Sequence, residues 1–363
     1  MDSQFYVLHE QDFGNNKLMN RVLTYKSAGI VSINSLPVPV IGEGEILVQL
    51  IACGICGTDV TKVYDSYFST PQKIGHELVA TIIQSYSPQL KVGQRVAVAH
   101  HAADTQSHYT KRGSAPMDPV FKNSNIDPGG FADFIRVTAT LVPFTVVPVP
   151  DHVPDLRAIF MEPLACCLRA LDRVSVGEGD TALIVGVGAV GILFLPLLRD
   201  ARVKSLVTDI RQERIDLALK WGAEDGRTVA DKDIVEVVKR HTDGRGADLI
   251  ILCVLTRETI ATGMSAVRDG GTILIFGSKP NNEIILDWWD VWRREINVIT
   301  SYSATPDLMP RAMALLASER YPLELLVSHK FSLAEAQTGF DLARQGRVGK
   351  VVITQRRQEI AAH

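Results

Sequence analysis

The chain has 363 residues, 46% of them hydrophobic, with a formal charge of −3 and a pI near 6.3. That length suffices for two domains, each with its own core, and the near-balanced charge without a long basic run argues against nucleic acid as a partner. No positive start leads into an apolar run, so no signal peptide is expected, and the apolar stretch TALIVGVGAVGILFLPLL is broken by Gly and Pro, which suits a strand–turn–helix rather than a membrane span.

Residues 1–150 are rich in short extended runs punctuated by Gly and Pro, among them GEILVQLIACG, ELVATIIQSY, QRVAVAH and FADFIRV, and predict a β-rich domain. DHVPDLRAIFMEPLACCLRALDRV reads as a helix-rich connection. From Asp180 the strands TALIVGV, KSLVTDI, ADLIILCVL and GTILIFGS alternate with the helical AVGILFLPLLRDA, RQERIDLALKWGA and ETIATGMSAVRDG. This rhythm predicts a parallel sheet covered by helices. Beyond about residue 305, PDLMPRAMALLASER, HKFSLAEAQTGFDLARQG and KVVITQ are expected to rejoin the first domain. There is no repeat at solenoid periods and no low-complexity tract.

Gly186, Gly188 and Gly191 form G-V-G-A-V-G, with Ala189 and Val190 before the third glycine, directly after the strand TALIV and ahead of a helix. The first glycine permits a tight turn, the second lets the backbone approach a pyrophosphate, and the third allows close helix–sheet packing. Asp209 ends the next strand, 18 residues past Gly191. A carboxylate there accepts hydrogen bonds from both ribose hydroxyls and repels a 2′-phosphate, so NAD is expected over NADP. Arg211 and Arg214 pull the other way, because either can swing toward a phosphate. The alternative for Asp209 is to cap the helix RQERIDLAL.

CGICGTD places Cys53 and Cys56 three apart, a spacing open to a redox pair, two buried thiols or a metal ligand. Gly75-His76-Glu77 follows 20 residues after Cys56, at the head of ELVATII, and Met161-Glu162-Pro163 precedes the change of domain. A thiolate, an imidazole and a carboxylate make up a catalytic zinc site with one position open. The five cysteines do not form a disulfide framework, so a reducing, cytoplasmic setting is expected.

Together, CGICGTDV, IGHELVA, MEPLACCLRAL, VGVGAVG and Asp209 resemble the zinc-dependent medium-chain alcohol and polyol dehydrogenases, in the family's order and over nearly the whole chain. The resemblance implies an α/β protein with a GroES-like catalytic domain, residues 1–165 and 306–363, and a Rossmann NAD-binding domain, residues 166–305. It implies that Cys56, rather than Cys53, binds zinc together with His76 and Glu162, and that Glu77 stands behind the metal and can join its shell. Asp59 would orient the ligand histidine, Thr58 would take the substrate's proton, and Lys350 would reach the cofactor pyrophosphate. Dimers or tetramers are usual in the family.

Members with a structural zinc carry four cysteines where this chain has Asp104, Ser107, Thr110 and Asp118. Ser and Thr are poor zinc ligands, so one catalytic zinc and no structural zinc are expected. Thr61 replaces a histidine that hands the proton to solvent, which leaves that step to Thr61 and water, or to His100 or His101. His100 and His101 also suit a polyhydroxylated substrate (a polyol, sugar or cyclitol, amino-substituted ones included) unless they face solvent on a loop. Trp288, Trp289 and Trp292 either stack on a sugar or pack at a domain or subunit boundary.

The expected activity is hydride transfer between a secondary alcohol and NAD. A zinc-free quinone or enoyl reductase would lack Cys56, His76 and Glu162, and a non-catalytic NAD-binding protein would tolerate their erosion.

Overall fold

A computed structural model describes residues 18–26, 29–65, 73–231 and 233–355. It divides into two compact units, one running to Ala165 and resuming at Thr305, the other spanning Cys166–Ala304.

The first unit is built on a seven-stranded sheet. Its strands are β3 (Ile46–Gly54), β4 (Glu77–Ser85), β5 (Arg95–Val98), β6 (Phe134–Val137), β7 (Val146–Pro148), β14 (Val327–Phe331) and β15 (Lys350–Thr354). The order is β14-β15-β3-β4-β5-β7, with β6 also on β3, and β1 (Met19–Lys26) and β2 (Ile30–Pro37) form a separate hairpin. β3 reads ILVQLIACG, nearly continuous apolar sequence, because most of its residues are buried. Such a strand has no solvent face on which alternation would show. Its end is flanked on both sides: Gly54 is opposite Glu77 of β4 and Val352 of β15. That register brings the head of β15 beside the head of β4, although 273 residues separate Glu77 from Lys350.

The second unit is a parallel six-stranded sheet. Its strands are β8 (Thr181–Val185), β9 (Lys204–Asp209), β10 (Asp225–Thr228), β11 (Ala247–Leu252), β12 (Val267–Ile275) and β13 (Asn297–Thr300). The order β10-β9-β8-β11-β12-β13 is that of a doubly wound dinucleotide-binding fold, with the reversal at β8. The helix expected to open at Ala189 begins later. Gly191–Leu193 forms a tighter 3₁₀ turn and the α-helix runs Phe194–Asp200. Pro196 falls in its first turn, where a missing N–H costs nothing.

Trp288, Trp289 and Trp292 project from the helix Trp288–Arg293 just before the edge strand β13, 65%, 65% and 70% exposed. Among the described residues no helix is long and apolar enough to cross a membrane.

Candidate functional site

β3 runs out at Gly54, and Cys56 stands immediately before the helix Gly57–Tyr64. Asp59, in that helix's first turn, is 0% exposed and ties three groups together. Its Oδ2 accepts the Cys56 N–H at 3.1 Å and its Oδ1 accepts the Gly75 N–H at 2.9 Å. Oδ1 also lies 3.4 Å from His76 Nδ1. One carboxylate therefore sets the thiol-bearing and imidazole-bearing segments relative to each other. Gly75 makes the approach possible. Its φ is +79°, and a Cβ there would lie 2.8 Å from the Phe131 nitrogen.

Among the described residues, ligand atoms of Cys56, His76 and Glu77 lie within 4.8 Å of one another. Glu77 is fully buried, and its Oε1 accepts a hydrogen bond from Lys350 Nζ at 2.7 Å. Its Oε2 lies 2.5 Å from the same nitrogen but has no aligned hydrogen-bond partner. A glycine is required opposite, since a Cβ on Gly54 would sit 2.2 Å from Oε2.

Burial works against a charge on His76, but Asp59 and Cys56 outweigh it and hold the imidazole pKa well above its ordinary value. Burial likewise opposes ionisation of Asp59, and His76 outweighs it, so the carboxylate stays below its usual range. The Asp59 carboxylate behind the cluster favours a cation at this spot. A thiol, an imidazole and a carboxylate, with one carboxylate oxygen lacking an aligned donor, make a donor set that fits zinc.

The remaining expected residues fall in several places. Glu162 is buried on the first turn of the helix Met161–Leu171 but is not a member of the 4.8 Å cluster. Thr58 is exposed on the first turn after Cys56, and Thr61 is half-buried one turn on. His100 follows β5, its ring centroid 4.6 Å from that of His76 and 3.8 Å from that of His101. His100 Nδ1 is out of solvent and has no hydrogen-bond partner. Burial, then the neighbouring His76, pushes the pKa of His100 well down, so the ring is neutral. His101 instead donates from Nδ1 to the Ser124 carbonyl at 2.7 Å.

Lys350 departs from the expected pyrophosphate contact. It is 2% exposed, with its ammonium on Glu77 and its second hydrogen bond, 3.4 Å, to the Ile55 carbonyl. The physical reason is the β15–β3–β4 register, which sets a buried lysine against a buried carboxylate. Burial alone would lower its pKa, but Glu77 raises it. Sequence reasoning did not find this partnership. The signal was a lysine heading the apolar strand KVVIT, where burial requires an anionic neighbour.

Asp104, Ser107, Thr110 and Asp118 do come together, through hydrogen bonds. Asp118 Oδ1 accepts the N–H groups of Asp104 at 3.3 Å and Val120 at 2.9 Å, and Ser107 Oγ donates to Thr110 Oγ1 at 3.1 Å. Burial opposes the Asp118 charge, but Ser107 and the backbone N–H donors hold its pKa below the usual range.

In the second unit Gly186 has φ +91°, and a Cβ on Gly191 would lie 2.0 Å from the Gly186 carbonyl oxygen. The turn thus has the tight geometry of a pyrophosphate cradle. Ala189 and Val190 are half-buried beside it. Asp209 was expected to present its carboxylate to a ribose, but its side chain is only 2% exposed. Oδ2 accepts the Val187 N–H at 2.9 Å and Oδ1 the Arg211 N–H at 3.1 Å. Arg214 Nη1 lies 3.2 Å from Oδ2 and 3.4 Å from Oδ1.

Residues 42–151 match the alcohol dehydrogenase GroES-like domain and residues 186–318 match the zinc-binding dehydrogenase family. The sorbitol dehydrogenase of Bacillus subtilis (strain 168) is 28% identical over 87% of this chain and 91% of its own length. The D-arabitol-phosphate dehydrogenase of Enterococcus avium is 27% identical over 89% of this chain and 94% of its own. A protein of Sinorhizobium meliloti 1021, described as a zinc-binding dehydrogenase and solved bound to NADP, superposes with a TM-score of 0.84 at 25% identity, covering 93% of this chain and 100% of that one. The chain belongs to the zinc-dependent medium-chain alcohol and polyol dehydrogenase family, and with it to the oxidoreductases.

Proposed function

We propose that the chain oxidises a secondary alcohol of a polyhydroxylated substrate (a polyol, sugar or cyclitol, amino-substituted ones included) with NAD as hydride acceptor, or runs the reverse reduction. The observation that carries this reading is the buried gathering of Cys56, His76 and Glu77, with Asp59 tying the first two in place. Cys56, His76 and Glu77 would hold one zinc, and Glu162, the carboxylate implied by the resemblance, would complete the donor set. Zinc bound there supplies Lewis-acid polarisation of the substrate oxygen, and the dinucleotide supplies the hydride acceptor.

The chain's own groups would do the rest. Thr58 takes the proton from the reacting hydroxyl. Thr61, half-buried one turn on, passes it toward water. His100, neutral and with Nδ1 unpartnered, offers a hydrogen bond to a neighbouring substrate hydroxyl. Lys350 holds Glu77 in place. Gly186, Gly188, Ala189, Val190 and Gly191 would cradle the pyrophosphate, with Asp209 and Arg214 at the adenosine ribose.

The sorbitol and arabitol-phosphate dehydrogenase relatives support a polyol as substrate. The hydrogen-bonded set around Asp118 supports a lobe that folds without a second zinc. Exposed tryptophans near the edge strand β13 support a homodimer or homotetramer, and five cysteines with no disulfide among them support a cytoplasmic setting.

Metal analysis, together with Cys56→Ala, tests the reading. About one zinc per chain is expected in the wild type. The variant should lose the metal and turnover while still binding NADH. A metal-free wild type would point instead to a zinc-free reductase or a binding protein, and two zincs would refute the reading of the Asp118 lobe.

A further inference from the structure

The helix that follows Cys56 has two unlike faces. Asp59 and Val63 are buried, while Thr58 is exposed and Thr61 and Lys62 are half-buried. Lys62 stands four residues past Thr58, so the two share a face one turn apart, about 6 Å along the axis. Its Nζ donates to the Lys73 carbonyl at 2.9 Å, on the segment that leads into His76. An ammonium has three donors, and that carbonyl takes one without offsetting the charge. Lys73 is placed differently, with its own ammonium on Asp127 Oδ1 at 2.8 Å. Among the described residues no carboxylate makes such a pair with Lys62.

The uncompensated charge is felt around His76. Burial is the main cause that lowers the pKa of His100 and His101, His76 follows, and Lys62 adds to both. On Asp59, where burial works the other way, Lys62 helps His76 hold the carboxylate below its usual range. With both imidazoles neutral, the positive charge on this side belongs to the lysine. His100, its ring centroid 4.6 Å from that of His76, keeps Nδ1 out of solvent and without a partner. A cation lacking a counter-ion therefore lies close to a buried polar atom lacking a hydrogen bond, and a ligand that carries both an anionic group and a hydroxyl serves the two together.

We propose that Lys62 receives an anionic group carried by the substrate, a phosphate ester or a carboxylate a few carbons from the reacting hydroxyl, so that the chain prefers a polyol phosphate or a sugar acid to the neutral polyol. The proposal deepens, and rests on, the reading that Thr58 meets the reacting hydroxyl. A contact between an ammonium and an anionic oxygen is about twice as strong as a neutral hydrogen bond. Making it breaks no ion pair, since Lys62 leaves only a neutral carbonyl. A neutral polyol offers the ammonium a hydroxyl, which water already supplies.

Matched probes test this on full-length, zinc-loaded protein: sorbitol, sorbitol 6-phosphate and gluconate, then xylitol, xylitol 5-phosphate and xylonate. Calorimetric titration in the presence of NADH reads binding, and NAD reduction reads turnover. Within each set one anionic member should exceed the neutral polyol about tenfold or more in affinity and in kcat/KM, chiefly through KM. Its KM should also rise with salt, while that of the neutral polyol stays level. Preference for the ester identifies a phosphate, and preference for the acid identifies a carboxylate. Lys62→Gln should cut the ratio between the anionic and neutral members about tenfold, and Lys62→Arg should restore most of it.

A neutral polyol used as well as or better than both anionic members overturns the proposal and leaves the alcohol-oxidation reading standing. So does an unchanged ratio in Lys62→Gln, because Lys62 would then act only as a tie to Lys73. If no member of either set binds or is oxidised, the polyol reading and the proposal fall together. Should Lys62→Gln fail to fold, the wild-type preference and its salt dependence decide the question.

Discussion

Asp59→Asn is the sharpest perturbation of the Cys56–His76–Glu77 cluster, because it preserves shape while removing the charge that joins two segments. The carboxylate accepts the Cys56 N–H at 3.1 Å and the Gly75 N–H at 2.9 Å, and sits 3.4 Å from His76 Nδ1. An asparagine has one acceptor oxygen. Whichever way the amide turns, its NH₂ faces one of those donors. One charge-assisted hydrogen bond and the His76 pairing are lost, each worth about 1.5–3 kcal/mol, and relaxation recovers part of this. We expect a loss of about 3 kcal/mol in unfolding free energy, measured by urea denaturation with EDTA present so that metal does not contribute. Zinc affinity, measured by competition with a chelating dye, should fall between about tenfold and a hundredfold, the usual effect of losing a partner that orients a ligand histidine. A variant that kept zinc affinity within about twofold and stability within about 0.5 kcal/mol would refute the view that Asp59 holds the cluster together.

Three further outcomes are expected. Gly191→Ala puts a methyl 2.0 Å from the Gly186 carbonyl oxygen, so the turn must open. NADH fluorescence should show binding weakened about tenfold or more, with about 1–3 kcal/mol of stability lost. Asp118→Ala leaves the Asp104 and Val120 N–H groups without their acceptor. It should cost about 2 kcal/mol in urea while zinc content by metal analysis stays unchanged. His101, whose pKa burial pushes down to about 4, binds its proton more readily unfolded than folded. Its contribution is complete above pH about 6.5 and is lost as pH falls toward 4, by at most about 3 kcal/mol and less for the part of the ring that solvent reaches. Urea midpoints between pH 7 and 4.5 should fall more steeply in the wild type than in His101→Gln, and parallel slopes would contradict this.

The features legible in the sequence are local ones. Gly186 and Gly191 announce their turn because a positive φ at the first and close backbone approach at the second leave no alternative residue, and the strand–helix rhythm that follows is a matter of neighbours along the chain. Cys56, Asp59, His76 and Glu77 sit on two short segments, so their association could be read from two motifs. Long-range pairing was not legible. Lys350 reaches Glu77 only because β15 and β4 both lie against β3, and no spacing rule spans 273 residues. The engagement of Asp209 was also hidden, since two of its donors are backbone N–H groups that every sequence possesses. The replacement of four cysteines by a hydrogen-bonded set could be seen only as an absence of thiols, and the hub role of Asp118 emerged with the coordinates.

The return of β15 to β3 has a consequence for synthesis. The stretch between Cys166 and Ala304 has its own complete parallel sheet and can close while the ribosome is still adding residues. The earlier segment must wait, with the Ala52–Gly54 end of its central strand unpaired on one side, until Lys350 and the strand it heads have left the exit tunnel. Until then the buried acid at Glu77 lacks its counter-charge, so the Cys56–His76–Glu77 pocket matures after the glycine turn of the parallel sheet, despite being translated first.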